Sequence, residues 1–196
     1  MRYDTAHKAE TRERILREAA AAIRADGAER VGIAAVMSRA GLTHGGFYAH
    51  FKSKNDLLAH AVDQMFADAQ PHLLPKGDEA GDGEILATFV DRYLSMAHRD
   101  ARERGCPIPI LAGELHRMPA AARSRFAAAS LRMRARLSRL VEGNGITDSQ
   151  ARADVALAEM VGAISLARIA DRQDAEKLLA KTRISVRTTL GLHSES

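Results

Sequence analysis

The stretch "GLTHGGFYAHFKSK", residues 41–54, decides how the chain around it folds. Phe47 and Phe51 are four residues apart, which is the spacing of one face of a helix. Gly45 and Gly46 stand in the first turn of the same segment, although glycine costs a helix interior about 1 kcal/mol relative to alanine. The stretch therefore predicts a short helix with a buried aromatic side and a bare surface at its start.

The residues before this stretch predict two further helices. In "KAETRERILREAAAAIRADG", residues 8–27, Ile15 and Ile23 fall on one apolar face with alanines between them. A shorter helical pattern covers residues 33–40, and Gly41 is expected to end it, because glycine favours the position after a helix C-terminus. The N-terminal part is therefore predicted to contain three helices in quick succession.

A helix, a glycine, a short turn and a second helix form the unit that inserts its second helix into the DNA major groove. Thr43 is predicted to cap that second helix, and Ser53 with Asp56 is predicted to cap the following one. Charge gives weaker support, because residues 1–60 hold ten lysines and arginines against seven acidic residues. An excess of that size fits a polyanionic partner and is also ordinary for a surface.

The rest of the chain predicts more helices and no strand. Residues 71–84 hold two prolines and three glycines and are predicted to form a loop; helices are expected at about 84–99, 120–142, 148–171 and 174–191. Hydrophobic residues make up 46% of the chain, enough for a packed core, and the single cysteine excludes an internal disulfide. Without an apolar leader or an 18-residue apolar run, we expect an all-α cytoplasmic protein that does not enter a membrane.

The run "GLTHGGFYAHFKSKNDLL" resembles the signature of the TetR family of transcriptional regulators, and the resemblance is specific over roughly residues 8–60. It implies a three-helix helix-turn-helix DNA-binding domain, residues 1–52, and a larger helical ligand-binding and dimerisation domain, residues 53–196, with about nine helices in all. It also implies a homodimer that represses by binding a palindromic double-stranded operator and releases it when a small-molecule effector binds. No cofactor is implied.

The DNA-contact pattern of the family, carried onto this sequence, falls on Thr43, His44, Gly45, Tyr48, His50 and Lys54. The free backbone N–H groups at the helix start would favour a phosphate near Thr43. His44 and Tyr48 are four residues apart and share a face. Further backbone contacts are open to Lys8, Arg12 and Arg39, for which a solvated surface is the plainer interpretation.

The resemblance also implies a pocket in the C-terminal domain, which its methionines and few aromatic residues would have to line. Ordinary core packing is the alternative interpretation for each of them. The last two helices carry many small residues, which suit either an intramolecular core or a dimer interface, and the resemblance implies the dimer interface. The pocket residues predicted are Phe89, Tyr93, Met96, Cys106, Phe126, Met133, Met160 and Ile164.

Cys106 opens an alternative function. It precedes a predicted short helix and lies near Arg102 and Arg104, and both features lower the pKa of a thiol. It could therefore sense electrophiles or oxidants, or it could be a buried, inert cysteine. A helical protein-binding scaffold without DNA binding is a third alternative. An enzyme is not expected, because the sequence contains no nucleotide-binding, nucleophile-elbow or zinc-protease motif.

Overall fold

The computed structural model describes residues 2–74 and 81–192, and this part of the chain is entirely helical. It contains nine α-helices, two 3₁₀ helices and no strand, as the sequence predicts. The α-helices are α1 (Arg2–Asp26), α2 (Ile33–Arg39), α3 (Lys54–Leu73), α4 (Asp82–Tyr93), α5 (Met96–Asp100), α6 (Ile108–Leu111), α7 (Ala120–Gly143), α8 (Ser149–Ala167) and α9 (Arg172–Thr189). The 3₁₀ helices are η1 (His44–Ala49) and η2 (Leu115–Arg117).

The first helix follows the apolar periodicity of its sequence. Ile15 and Ile23 are completely buried, and the helix ends where Gly27 adopts a φ of +85°. Its backbone begins at Arg2, so it extends beyond the predicted start at residue 8. Periodicity missed this extension because the added residues carry no apolar stripe.

Two hydrophobic clusters form the core. The first joins α1, α2, η1 and the N-terminal half of α3, and it also takes in Leu111 and three residues from Met118 to Phe126. The second joins the C-terminal end of α3 to α4, α7, α8 and α9. The predicted boundary after residue 52 does not coincide with a break in the core, because the first cluster includes Leu57 and Met65 beyond it.

Helix α3 contributes to both clusters. It begins as the sequence predicts: the Ser53 hydroxyl accepts a hydrogen bond of 3.1 Å from the Asp56 N–H, and the Asp56 carboxylate accepts one from the Lys52 N–H. It ends at Leu73, so Pro71 lies inside its last turn and not in the predicted loop. A proline there removes only one helical hydrogen bond near the helix end. Of the predicted loop, residues 75–80 lie outside the described part of the chain.

The single helix predicted for residues 84–99 is two helices. Helix α4 ends at Tyr93, because Leu94 leaves the helical region with φ −91° and ψ 46°. Ser95 then starts α5, and its hydroxyl accepts a hydrogen bond of 3.1 Å from the His98 N–H. The apolar spacing of the sequence continues across the break and so does not predict it. Ser95, which caps α5, is the residue that indicates it.

Candidate nucleic-acid interface and ligand cavity

A tight turn joins α2 to η1. The Leu42 N–H bonds to the Met37 carbonyl at 2.9 Å, and the Gly41 N–H bonds to the Ser38 carbonyl at 2.9 Å. These two bonds form a Schellman motif, which needs a left-handed residue after the helix end. Gly41 supplies it with a φ of +70°. The position of Gly41 in the sequence is thus explained by backbone conformation.

The segment after the turn is a 3₁₀ helix and not the α-helix that its aromatic spacing suggests. Its bonds include one of 3.1 Å from the Gly46 N–H to the Thr43 carbonyl, three residues back. Two glycines in six residues disfavour an α-helix, and the segment is too short to offset that. Phe47 and Phe51 still anchor it: both are buried, and their stacked rings lie 5.7 Å apart.

Four of the six predicted DNA contacts lie together on the outer surface of this segment. Thr43, His44, Gly45 and Tyr48 are all exposed. Tyr48 is 66% exposed, and its ring packs edge-on against Phe47 at 5.2 Å. Thr43 occupies the N-cap position, but its side chain makes no capping hydrogen bond, so that part of the prediction is wrong.

The remaining two predicted contacts are placed differently. His50 is partly buried, and its Nδ1 atom has no hydrogen-bond partner among the described residues. Burial, and then the charges of Lys8 and Arg12, lower the pKa of His50. The Lys54 ammonium donates a hydrogen bond of 3.0 Å to the Glu29 carbonyl. Lys54 therefore ties the start of α3 to the loop after α1.

Cations of α1 adjoin the same surface. The guanidinium carbon of Arg12 lies 4.8 Å from the centre of the Phe51 ring, within the range of a cation–π contact. Arg39, by contrast, donates a hydrogen bond of 2.9 Å to Glu18 on α1 and is engaged within the protein. Lys8 and Arg12 thus place positive charge beside His50 and Phe51, at the C-terminal end of η1.

Neither glycine of η1 is required by the fold. A Cβ atom at Gly45 would meet nothing within 4 Å, and one at Gly46 would come no closer than 3.7 Å to Met37. Neither residue has the positive φ that favours glycine. If positions 45 and 46 need residues without a side chain, that requirement comes from a molecule that binds this surface.

A cavity of about 480 Å³ lies between α3, α4 and α7. Three of the predicted pocket residues line it: Phe89, Cys106 and Met133. The other five do not: Phe126 belongs to the first core cluster, and Tyr93, Met96, Met160 and Ile164 pack in or against the second.

The polar residues that line this cavity were not predicted from the sequence. They are Asp63, Gln70, Arg132, Arg136 and Arg139. The three arginines occupy positions i, i+4 and i+7 of α7, which is the spacing of one helical face. That spacing could have indicated a cationic face in the sequence, but the other arginines of α7 obscure it.

The surroundings of Cys106 favour the buried, inert cysteine over the activated thiol. The residue is 1% exposed, and burial raises the pKa of the thiol. Its backbone N–H donates a hydrogen bond of 3.0 Å to His98 Nε2, and α6 after it is only four residues long. Cys106 is therefore a buried wall residue of the cavity.

The last two helices carry exposed apolar side chains. On α8 these include Val155 and Leu166, and Ile169, in the turn after α8, is 83% exposed. On α9, Ile184 is 69% exposed. The face of α8 that carries Val155 and Leu166 also includes exposed Gly162, where a Cβ atom would meet nothing within 4 Å.

Two other kinds of site are absent from residues 2–74 and 81–192. No group of three or more histidine, cysteine or acidic side chains there is arranged to hold a metal ion. No helix in that part of the chain combines the length and apolar character that crossing a bilayer requires.

Two family models match the sequence. The model of bacterial regulatory proteins of the tetR family matches residues 15–61. The model of the tetracyclin repressor-like C-terminal domain matches residues 84–182. A comparison with curated protein sequences finds no significant match.

Solved structures share the fold over nearly the whole chain. A TetR transcriptional regulator from Chloroflexus aurantiacus J-10-FL has 27% identity and a TM-score of 0.77, covering 97% of both chains. The reduced form of E. coli NemR has 20% identity and a TM-score of 0.77, covering 91% of this chain and 96% of that one. A TetR-family regulator described as putative, from Streptomyces avermitilis MA-4680, has 24% identity and a TM-score of 0.72, covering 93% and 99%.

Proposed function

Because the chain belongs to the TetR family of DNA-binding transcriptional regulators, we propose that it is a ligand-responsive repressor. It binds a palindromic operator as a homodimer in the cytoplasm and releases the operator when a small molecule occupies the cavity. Regulators of this family are not enzymes and are generally dimers. Residues 1–52 provide the DNA-binding surface, and residues 53–196 bind the ligand and form the dimer.

We propose that η1 enters the major groove. Thr43, His44 and Tyr48 form its exposed face, supported from below by buried Phe47. Gly45 allows the duplex to approach the backbone, because no side chain stands there. His44 and Tyr48 are the residues available for polar contacts to bases and phosphates, while Arg12 adds attraction that does not depend on sequence.

Few long side chains remain on this face to read base edges. We therefore propose that part of the specificity comes from the shape and deformability of the operator. Base contacts from most of residues 43–48 in a complex would contradict this part of the proposal.

We propose that α8 and α9 form the dimer interface. Exposed Leu166 of α8 and Ile184 of α9, with Ile169 in the turn after α8, would be covered by the same surface of a second copy. Gly162 would allow close approach of the two helices. A two-fold dimer of this kind presents two copies of η1, which suits half-sites one turn of DNA apart.

The observation that carries the ligand response is the position of α3. Its N-terminal half packs in the same cluster as Phe47 and Phe51, and its C-terminal half, including Phe66 and Leu73, lines the cavity. A ligand that moves the cavity wall moves this one helix and, through it, the base of the DNA-binding surface. The response therefore needs no contact between ligand and DNA.

The two alternative functions are disfavoured by specific observations. A sensor thiol must ionise and be reached by its oxidant, whereas Cys106 is buried and its pKa is raised. A scaffold without DNA binding is disfavoured by membership of a family of DNA-binding regulators.

The test is a gel shift with DNA flanking the gene, at low salt and with rising salt. We expect a specific complex that weakens as salt rises. The double variant His44→Ala, Tyr48→Phe should weaken the complex while its circular dichroism stays unchanged. Absence of binding at low salt would refute the regulator, and equal binding by the double variant would refute the assignment of η1.

A further inference from the structure

The arginines of α7 fall into two groups. Three of the six are engaged within the protein: Arg123 donates to a backbone carbonyl at 2.8 Å, Arg125 pairs with a carboxylate of α3, and Arg134 makes two bonds of 2.6 Å to a carboxylate of α8. These three side chains have partners that explain their presence.

The other three, Arg132, Arg136 and Arg139, form no hydrogen bond or ion pair within the described part of the chain. They are also the three arginines of α7 that line the cavity. Their spacing places them on one side of the helix, spread over roughly 10 Å along its axis. The arginines that have no partner among the described residues are thus the ones that face the space where a ligand would lie.

An apolar stripe runs beside them on the same helix. Met133, Leu137 and Leu140 follow Arg132, Arg136 and Arg139 by one residue each and also line the cavity. Leu137 and Leu140 are buried, whereas Arg132 and Arg139 are exposed. The cavity therefore has an apolar inner wall and a cationic outer edge along a single helix.

The charge at this edge is not balanced by the described wall of the cavity. Among the described residues that line the cavity Asp63 is the one carboxylate, and it already pairs with Arg125. Phe66, Leu73 and Phe89 make the opposite wall apolar. A neutral apolar ligand would form no hydrogen bond with these arginines, whereas an anionic group could accept hydrogen bonds from all three guanidinium groups.

We propose that the effector is an organic anion with an apolar body, whose carboxylate, phosphate or sulfonate group binds Arg132, Arg136 and Arg139. This proposal rests on the proposed function, because it names the ligand class of the same cavity. Guanidinium groups suit the role, since their planar donors match the oxygens of such anions and are weakly hydrated. The apolar body lies against the Met133, Leu137 and Leu140 stripe.

The test uses two fluorescent probes that differ only in a sulfonate group. 8-Anilinonaphthalene-1-sulfonate carries a sulfonate, and N-phenyl-1-naphthylamine lacks it. Both are titrated into the full chain, its Arg132→Gln, Arg136→Gln, Arg139→Gln variant, and an Arg134→Gln control that removes one arginine of the same helix outside the cavity. Circular dichroism verifies that each variant is folded, and an R136Q single variant replaces the triple variant if the latter does not fold.

We expect the triple variant, or R136Q alone, to bind the sulfonate probe about tenfold or more weakly, the loss expected for a hydrogen bond to a charged group. Binding of the neutral probe should stay within about twofold, and Arg134→Gln should bind both probes as the unchanged protein does. Sodium decanoate should displace the sulfonate probe, and 1-decanol should do so less well.

Equal loss of both probes, loss of neither, or no binding of the sulfonate probe to the unchanged protein would overturn the anion proposal. These titrations contain no DNA, so their failure is separate from that of the repressor. If decanoate binds as expected but leaves the operator complex intact, the ligand response fails and the assignment of the anion site stands.

Discussion

The imidazole of His98 joins α5 to the backbone of Cys106: its Nε2 atom accepts a hydrogen bond of 3.0 Å from the Cys106 N–H. Its Nδ1 atom lies 2.7 Å from the Tyr93 carbonyl. The carbonyl can only accept, so Nδ1 carries the proton and the ring is neutral. Burial, opposed by the bond to Tyr93 and assisted by the charge of Arg168, lowers the pKa of His98 to about 4.

This arrangement predicts a pH dependence of stability. The unfolded chain takes up a proton at His98 near pH 6.5, whereas the folded chain does so near 4. The unfolded state therefore binds more protons between these values, and the free energy of unfolding falls as pH drops through that window, by about 3 kcal/mol for this group.

Urea unfolding at pH 7.5 and at pH 4.5 measures the effect. A His98→Gln variant cannot titrate at this position, so it should lose less stability between the two pH values. If the variant and the unchanged protein show the same difference, His98 is not the responsible group.

Arg24 makes a second stability prediction. It is buried, its Nη2 atom donates to the Met65 carbonyl at 2.5 Å, and its Nη1 atom lies 3.5 Å from Asp68. We expect Arg24→Ala to lower the free energy of unfolding by about 3 kcal/mol. The change removes buried packing, and it leaves the Met65 carbonyl and the Asp68 carboxylate of α3 without the guanidinium donor. The exposed pair of Arg17 and Glu13 provides the control, since Arg17→Ala should cost under about 1 kcal/mol. Equal losses would show that burial does not matter here.

The bare surface of η1 predicts an effect on DNA binding alone. Gly45→Ala introduces no clash and no strained φ, so its melting temperature should equal or exceed that of the unchanged protein. Its operator affinity, measured by fluorescence anisotropy, should fall about tenfold if the duplex backbone approaches this position. Gly113→Ala is the matched control, because a Cβ atom there also meets nothing within 4 Å. Unchanged affinity of Gly45→Ala would show that no close approach occurs.

The proposed interface predicts a change in oligomeric state. Leu166→Glu with Ile169→Glu places two charges on the exposed surface at the C-terminal end of α8 and in the turn after it, where the proposed dimer would have to bury them without partners. Light scattering after size exclusion should give the mass of a monomer. That monomer should bind DNA with a single half-site as tightly as it binds the full palindrome. Leu131→Glu on α7 is the control, because Leu131 is also exposed. A dimer that survives the double change would place the interface elsewhere.

The features of the fold that the sequence predicted are those decided by nearby residues. Gly41 ends α2 because its backbone must be left-handed, and Ser53 starts α3 because its hydroxyl can bond the Asp56 N–H. Both causes act within a few residues. The aromatic pair of Phe47 and Phe51 likewise identified a buried anchor.

The cavity could not be predicted in the same way. Phe89 and Phe126 look equivalent in sequence, yet one lines the cavity and the other packs against Phe66 in the first core cluster. Helix packing, and not residue type, separates them. The cationic edge was missed for a related reason: among the described residues Arg134 pairs with Asp154 and Arg132 has no partner, and Asp154 belongs to another helix.

The first core cluster has a consequence for how this chain can be divided. Helix α3 supplies Leu57 and Met65 to it, and Phe126 comes from as far away as α7. A fragment that ended at residue 52 would keep the DNA-facing residues but expose the apolar undersides of α1 and η1. The DNA-binding half therefore cannot be excised and fused to another protein as an independent domain. A fusion protein would have to include α3. It would also need other side chains to cover the part of the first core cluster that α7 covers here.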